Sequence, residues 1–424
     1  MVDRMDESKI AALDAALATA AKNVRVLNWL TWPADSEERF LKGWRAGKPE
    51  LPQSRLRPRS LGDEIAKLDA IAAQCRVEDP VEKFLHDTAR SYADAARMLG
   101  VIGSVDFTRY STILYGRPDH VYKLQDMTPA DAARHFLQVT DDLLGTQRLP
   151  TTAFDIDADS FADWLQAKVN DFFEPGTVTV KLDPKLSAKA VAGASRIRIR
   201  ATAAFSELDQ DQLLNHEALI HTATMLNGKR QKNLRSLSLG APRTTRTQEG
   251  LAVLSELVTN AMDISRLRRV ALRVIAVQLA LDGADFIEVF EFFLDSGQSE
   301  EESVRSAQRI FRGGAVKGGI VFTKDVVYLS GLLEVHTFMR VAIRESRPEL
   351  IPRIFAGRLT LADALRLAPL FDSGWLHPPR YLPAWAADSR RIAALMAYSA
   401  FTSNIQLGKI TLNRIIELEE ELKH

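Results

Sequence analysis

Residues 215–221 read Asn-His-Glu-Ala-Leu-Ile-His, and two imidazoles flanking a carboxylate are the parts a metal-dependent hydrolase needs. His216 and His221 could hold a zinc ion, and Glu217 could take a proton from the water that ion activates. The familiar zinc-hydrolase spacing is H-E-x-x-H, with the histidines four apart on one helical face. Here they are five apart, which in a straight α-helix separates them by about 140°. A π-bulge, one residue inserted into the α-helical ladder, brings positions five apart back onto one face, and such bulges recur at functional sites. The spacing therefore predicts a distorted helix between His216 and His221.

A catalytic zinc takes three protein ligands and leaves one position open. Residues 247–256 read Thr-Gln-Glu-Gly-Leu-Ala-Val-Leu-Ser-Glu and have helical spacing. Thr247 can cap the start of this helix, which puts Glu249 in its first turn as the third ligand. Gly250, without a side chain, lets the helix approach a neighbour closely. Glu256 lies seven residues on, along the same face. It is either an alternative ligand or a partner that fixes the tautomer of a liganding histidine. Between Ala218 and Gln248 there is no acidic residue, whereas Lys229, Arg230, Lys232, Arg235, Arg243 and Arg246 all fall there. A basic rim of that kind would attract an acidic peptide tail or a substrate carboxylate.

The His216–His221 spacing followed by Gln-Glu-Gly-Leu-Ala at 248–252 resembles the family labelled by its QEGLA motif, whose eukaryotic relatives are the microtubule-associated tyrosine carboxypeptidases. Further segments are similar to that family: Leu114-Tyr-Gly-Arg-Pro118, Arg312-Gly313, Phe322-Thr-Lys-Asp325 with Tyr328-Leu, Phe355-Ala-Gly357, and Leu-Asn-Trp-Leu-Thr-Trp-Pro at 27–33. The resemblance implies a zincin-like, gluzincin-type fold and a zinc carboxypeptidase. In it His216, His221 and Glu249 would be ligands and Glu217 the catalytic base. Such an enzyme also needs a donor for the developing oxyanion and a cation for the terminal carboxylate. Tyr328 could be the donor, and Lys324 or Arg312 could hold the carboxylate. His336 is a further substrate-binding candidate, although Leu332, Leu333, Val335 and Phe338 around it also suit a core histidine.

Those residues have to be carried by a predominantly helical α+β chain. Apolar residues recur at helical spacing over 7–22, from Ser36 onward, and over 61–75, 79–99, 129–145 and 159–173. The stretch 47–60, with Pro49, Pro52 and Pro58, reads as irregular. Alternation marks strands at 177–183 and 196–200. In the second of these, Ile197 and Ile199 face one way and Arg196, Arg198 and Arg200 the other. In zincin-like folds a strand at this position lines the cleft with an exposed edge, which makes Arg198 a substrate-binding candidate. From about Gln210 helices resume to the C-terminus, punctuated by the glycines of 313–319 and the prolines of 377–383. The expected organisation is a helical N-terminal region over 1–175 packed on a catalytic core over 176–424, with a small sheet and a helical C-terminal half.

Composition narrows the function classes. The chain has 424 residues, and 46% hydrophobic content is enough for a large core. Lys+Arg and Asp+Glu both number 55, so a general nucleic-acid binder is not expected. The apolar stretches near 270–281 and 326–338 are interrupted by Arg273, Gln278 and Glu334, so no membrane association is expected. The charged N-terminus and the single cysteine, Cys75, fit a cytoplasmic protein. The expected activity is zinc-dependent removal of a C-terminal residue, which could be aromatic, from a peptide or protein tail. The alternatives are a zinc hydrolase of a non-peptide amide, or a non-enzymatic regulatory protein with a structural metal site. No residue pattern specifies an oligomeric state.

Overall fold

The structure, a computed structural model, describes residues 6–121, 126–144, 153–186 and 188–402. Helices form over Glu7–Ala20, Ser36–Arg45, Gly62–Gln74, Pro80–Gly100, Pro129–Leu144 and Ala158–Phe172, where the spacing predicts them. The local signals explain the boundaries. At Pro80–Gly100, for example, Pro80 opens the helix and the Asp79 carboxylate accepts from the Val81 and Glu82 N–H groups. Residues 48–61 carry no regular element. His424 and the end of the C-terminal helical stretch lie outside the described residues.

Apart from the single turn Val26–Trp29, two elements exceed the sequence reading. A helix over Val105–Tyr115 buries Phe107, Thr108, Ser111 and Tyr115. Two of those four are polar, so its apolar stripe is too thin to read. The second is the short strand β2 (Ala190–Ala192), which joins β1 (Thr179–Asp183) and β3 (Arg196–Arg200) in a sheet of order β1-β3-β2. β1 runs parallel to β3 and β2 antiparallel to it. β3 is therefore central, with β1 and β2 at the two edges, so the exposed edge expected for it is not found. Three small residues, Ala-Val-Ala, are too few to show alternation.

Ile197 and Ile199 are fully buried in a cluster with Phe161, Leu165, Phe205, Ala218 and Ala223, worth about 2 kcal/mol each. This cluster clamps the sheet onto the histidine-bearing rod. A larger core runs from Ile10 through Ile220 and Leu251 to Met396, so the N-terminal helices and the later ones share one apolar interior.

Three consecutive helical segments make up the histidine rod. Glu207–Leu213 is α-helical and opens with a Ser206–Asp209 capping box. Leu214–Thr222 is a π-helix, and Ala223–Lys229 returns to α. The distortion predicted from the five-residue spacing is present, and it spans the whole motif.

The next helix, Thr245–Val258, starts three residues earlier than the sequence suggests, after a 3-10 turn over Pro242–Thr244. Thr247 is buried inside it and is not its cap. Glu249 accordingly sits one turn into the helix. Gly250 packs on Gly331 of the helix Val326–Arg344, and a Cβ at Gly250 would lie 2.3 Å from the Gly331 carbonyl oxygen. The stretch Thr323–Arg344 is long and apolar enough to cross a membrane, but 56% of its apolar window is buried inside the protein. Here it serves as a core helix.

Candidate metal centre

The π-helix turns both imidazoles to one side, with ring centroids 4.8 Å apart. Glu249 meets them from the adjacent helix. Its Oε2 lies 3.4 Å from His216 Nε2 and 3.6 Å from His221 Nε2, and all three ligand atoms fall within 4.8 Å of one another. In a tetrahedral zinc site with bonds of roughly 2.0–2.2 Å, ligand atoms stand about 3.3–3.6 Å apart. Both Glu249 separations match that edge and are long for direct hydrogen bonds. The donor set, two imidazoles and a carboxylate, suits zinc.

Each of the three residues Gln248, Glu249 and Gly250 touches a different neighbour. The Gln248 Oε1 accepts from the Thr224 hydroxyl at 2.7 Å, tying this helix to the end of the histidine rod. Glu249 faces the imidazoles. Gly250 admits the backbone of Gly331. The order of the motif is thus a docking pattern as well as a ligand.

Buried charges brace the ligands from behind. The Glu256 Oε1 lies 2.6 Å from His216 Nδ1, and Arg266 grips Glu256 through Nε at 2.9 Å and Nη2 at 3.1 Å. Glu256 therefore stands behind His216 as its partner, and Glu249 is the carboxylate that faces both imidazoles. On the other side, Lys324 Nζ donates to Glu249 Oε1 at 2.8 Å.

The titration directions follow from these contacts. Burial alone would lower the His216 imidazole, but Glu249 and Glu256 beside it hold it raised to about 10. His221 is lowered, chiefly by burial. Burial pushes Glu256 up, yet Arg266 and His216 bring it down to about 2. Glu249 is held well below the ordinary carboxylate range against burial by Lys324 and the two histidines.

Replacing Glu256 with Gln leaves Arg266 without its counter-ion and weakens the brace on His216. We expect a 10- to 100-fold loss of metal affinity, read by competition with a chromogenic chelator. Unchanged affinity would show that His216 needs no support from this side.

Glu217 points from the π-helix to the sheet edge, where its Oε2 accepts from the Ala192 N–H at 2.8 Å. Its influence reaches His216, His221 and Arg358. Tyr328 stands beside Lys324. Its hydroxyl oxygen accepts from Lys324 Nζ at 3.3 Å and Arg309 Nη2 at 3.2 Å. With both acceptor positions taken, the phenolic proton is directed elsewhere. Arg309 is itself fixed by two bonds to Asp325, at 2.6 and 2.7 Å.

The remaining candidates lie further out. Arg312 stacks over Phe322 at 5.8 Å and donates to the Arg309 carbonyl. Burial, followed by Arg309, lowers it to about 10. Arg198 is on the sheet face opposite Ile197 and Ile199 and pairs with Asp183 at 3.0 Å. His336 lies about 12 Å along the helix axis from Tyr328, and burial lowers it. Of the basic stretch, Arg243 and Arg246 are tied to Asp363 and Glu334, whereas Lys229, Arg230, Lys232 and Arg235 are exposed. Sequence reasoning passes over Arg266 and Arg358. The one available pointer to Arg358 is its place directly after Phe355-Ala-Gly357.

A family model described as microtubule-associated tyrosine carboxypeptidase matches residues 38–404. Among curated proteins, none matches the chain in sequence. Among solved structures, the metallocarboxypeptidase 1 of Trypanosoma cruzi aligns with 14% identity and a TM-score of 0.33, covering 94% of this chain and 97% of that one. A likeness that weak bears neither on the fold nor on the chemistry.

Proposed function

The chain belongs to the microtubule-associated tyrosine carboxypeptidase family, and on that footing we propose that it is a zinc-dependent carboxypeptidase acting on a peptide or protein tail. The observation that carries this reading is the convergence of His216, His221 and Glu249 on one point. Structural zinc sites close with four protein ligands, whereas catalytic ones keep a position for water and substrate. Among the described residues, three such side chains converge.

Bound there, zinc would polarise the scissile carbonyl and lower the pKa of a water towards 7. Glu217 takes the proton from the attacking water, whose oxygen bonds to the carbonyl carbon. It passes that proton to the leaving amine nitrogen as the C–N bond breaks. Tyr328 donates its hydroxyl proton in a hydrogen bond to the carbonyl oxygen as negative charge builds there. Lys324 and Arg309 aim that hydroxyl, and Lys324 also holds Glu249 in place. The exposed Lys229, Arg230, Lys232 and Arg235 continue from the end of the histidine rod, and a tail carrying carboxylates would be drawn towards them. An aromatic terminal residue, as in the family's description, is the first to be tried.

The test is metal removal. After dialysis against 1,10-phenanthroline, release of terminal amino acids from a free-acid hexapeptide library should stop. It should return on addition of about one equivalent of zinc. Hydrolysis that survives complete stripping, or a protein that takes up no metal, would defeat the proposal.

A further inference from the structure

A terminal carboxylate needs a cation beside the metal centre that is not already committed to a protein carboxylate. Lys324 is bound to Glu249, Arg266 to Glu256, and Arg309 to Asp325. Arg273 lies 3.8 Å from the same Asp325. Arg358 has no such carboxylate partner among the described residues. Its Nε, like that of Arg273, is buried with no hydrogen-bond partner, and the acidic groups whose charge reaches it are Glu249 and Glu217.

The backbone beneath Arg358 is fastened to the histidine rod and its continuation. The Asn227 amide donates to the Phe355 carbonyl at 2.9 Å, and Gln231 donates to the Ala356 carbonyl at 3.2 Å. The Arg358 N–H donates to the Leu237 carbonyl at 2.6 Å. Gly228 permits this approach, because a Cβ there would fall 2.4 Å from that same Leu237 oxygen. Gly240 leaves open the space beside the guanidinium, where a Cβ would stand 3.7 Å from Arg358 Nη1. Burial without a hydrogen-bonding partner is costly for a guanidinium, and it is relieved when a carboxylate docks on it through paired N–H groups.

We propose that Arg358 is the anchor for the substrate's terminal carboxylate, an inference that rests on the carboxypeptidase reading of this site. It makes Arg358 a specificity-determining residue, one that tells a free acid from an amide. It also relieves Lys324 and Arg312 of that role.

The experiment compares one peptide in two forms, the best-cleaved N-acetyl hexapeptide of the library as free acid and as C-terminal carboxamide. Wild type should favour the acid. Arg358→Gln should lower kcat/KM for the acid roughly 10- to 100-fold, mainly through KM, and leave the amide nearly unchanged. Arg358→Lys should recover part of the loss. The same two peptides are titrated by fluorescence anisotropy into the zinc-loaded Glu217→Gln protein, with and without Arg358→Gln, so that binding is read without turnover. There too the preference for the acid should vanish with Arg358. An acid preference that survives in Arg358→Gln overturns the assignment. So does equal loss on acid and amide, or the absence of any preference while Arg358 is intact. If wild type releases no terminal residue at all, the carboxypeptidase reading fails, and the anisotropy titration, then run with an N-acetyl hexapeptide ending in tyrosine as acid and amide, decides the fate of Arg358 separately.

Discussion

We expect a Glu217→Gln protein to bind zinc as wild type does, to keep its fold, and to lose the proposed peptide hydrolysis by about 10²- to 10⁴-fold. The substitution is isosteric, and its amide oxygen can still accept from the Ala192 N–H. The anchorage at the sheet edge is therefore preserved. What disappears is the ability to receive a proton and hand it on. Because His216, His221 and Glu249 are untouched, metal content by elemental analysis should match wild type, and the thermal transition should move little. Retention of activity would hand the role of base to another group. Loss of metal would place Glu217 among the ligands.

Gly250→Ala is the second large effect, and it acts through the scaffold. A methyl group there would meet the Gly331 carbonyl oxygen at 2.3 Å, and backbone has no rotamer by which to escape. The two helices have to separate, which costs about 3 kcal/mol or more. Glu249 is the adjacent residue, so the same displacement pulls the carboxylate away from the imidazoles and from Lys324. Chemical denaturation should show the lost stability, and zinc titration the lost affinity. Gly62→Ala is the control. It lies at the first residue of a helix with nothing within 4 Å of its added Cβ, so it should change stability by no more than a few tenths of a kcal/mol. Equal behaviour of the two variants would refute the close-contact argument.

What could be read from the sequence here was local. The five-residue gap between the histidines implied a π-distortion because helical geometry allows few other ways to bring them together. Gly250 implied close packing because a side chain there has nowhere to go. The long amphipathic helices announced themselves by periodicity. What stayed hidden depends on partners distant in the chain. Lys324 reads as an uncommitted cation until folding brings it to Glu249, 75 residues away. Arg266 is one arginine in a basic run until Glu256 is seen beside it. Strand β2 exists because β3 offers it hydrogen bonds, since Ala-Val-Ala has little strand preference of its own. The start of the Glu249 helix was misplaced for a similar reason. Pro242 and its 3-10 turn launch it, whereas Thr247 only looks like a cap.

The π-segment also constrains how this catalytic architecture could change through evolution. Deleting one residue between His216 and His221 would restore the commoner spacing and an ordinary α-helical register. Everything beyond the deletion would keep its facing, because the bulge winds one extra residue into the turn and the α-helical register resumes after it. Thr224 would still face Gln248, and Asn227 the segments at Phe355 and Tyr381. The five-residue and four-residue forms therefore stand one indel apart, and the π-segment is the trace a single inserted codon would leave.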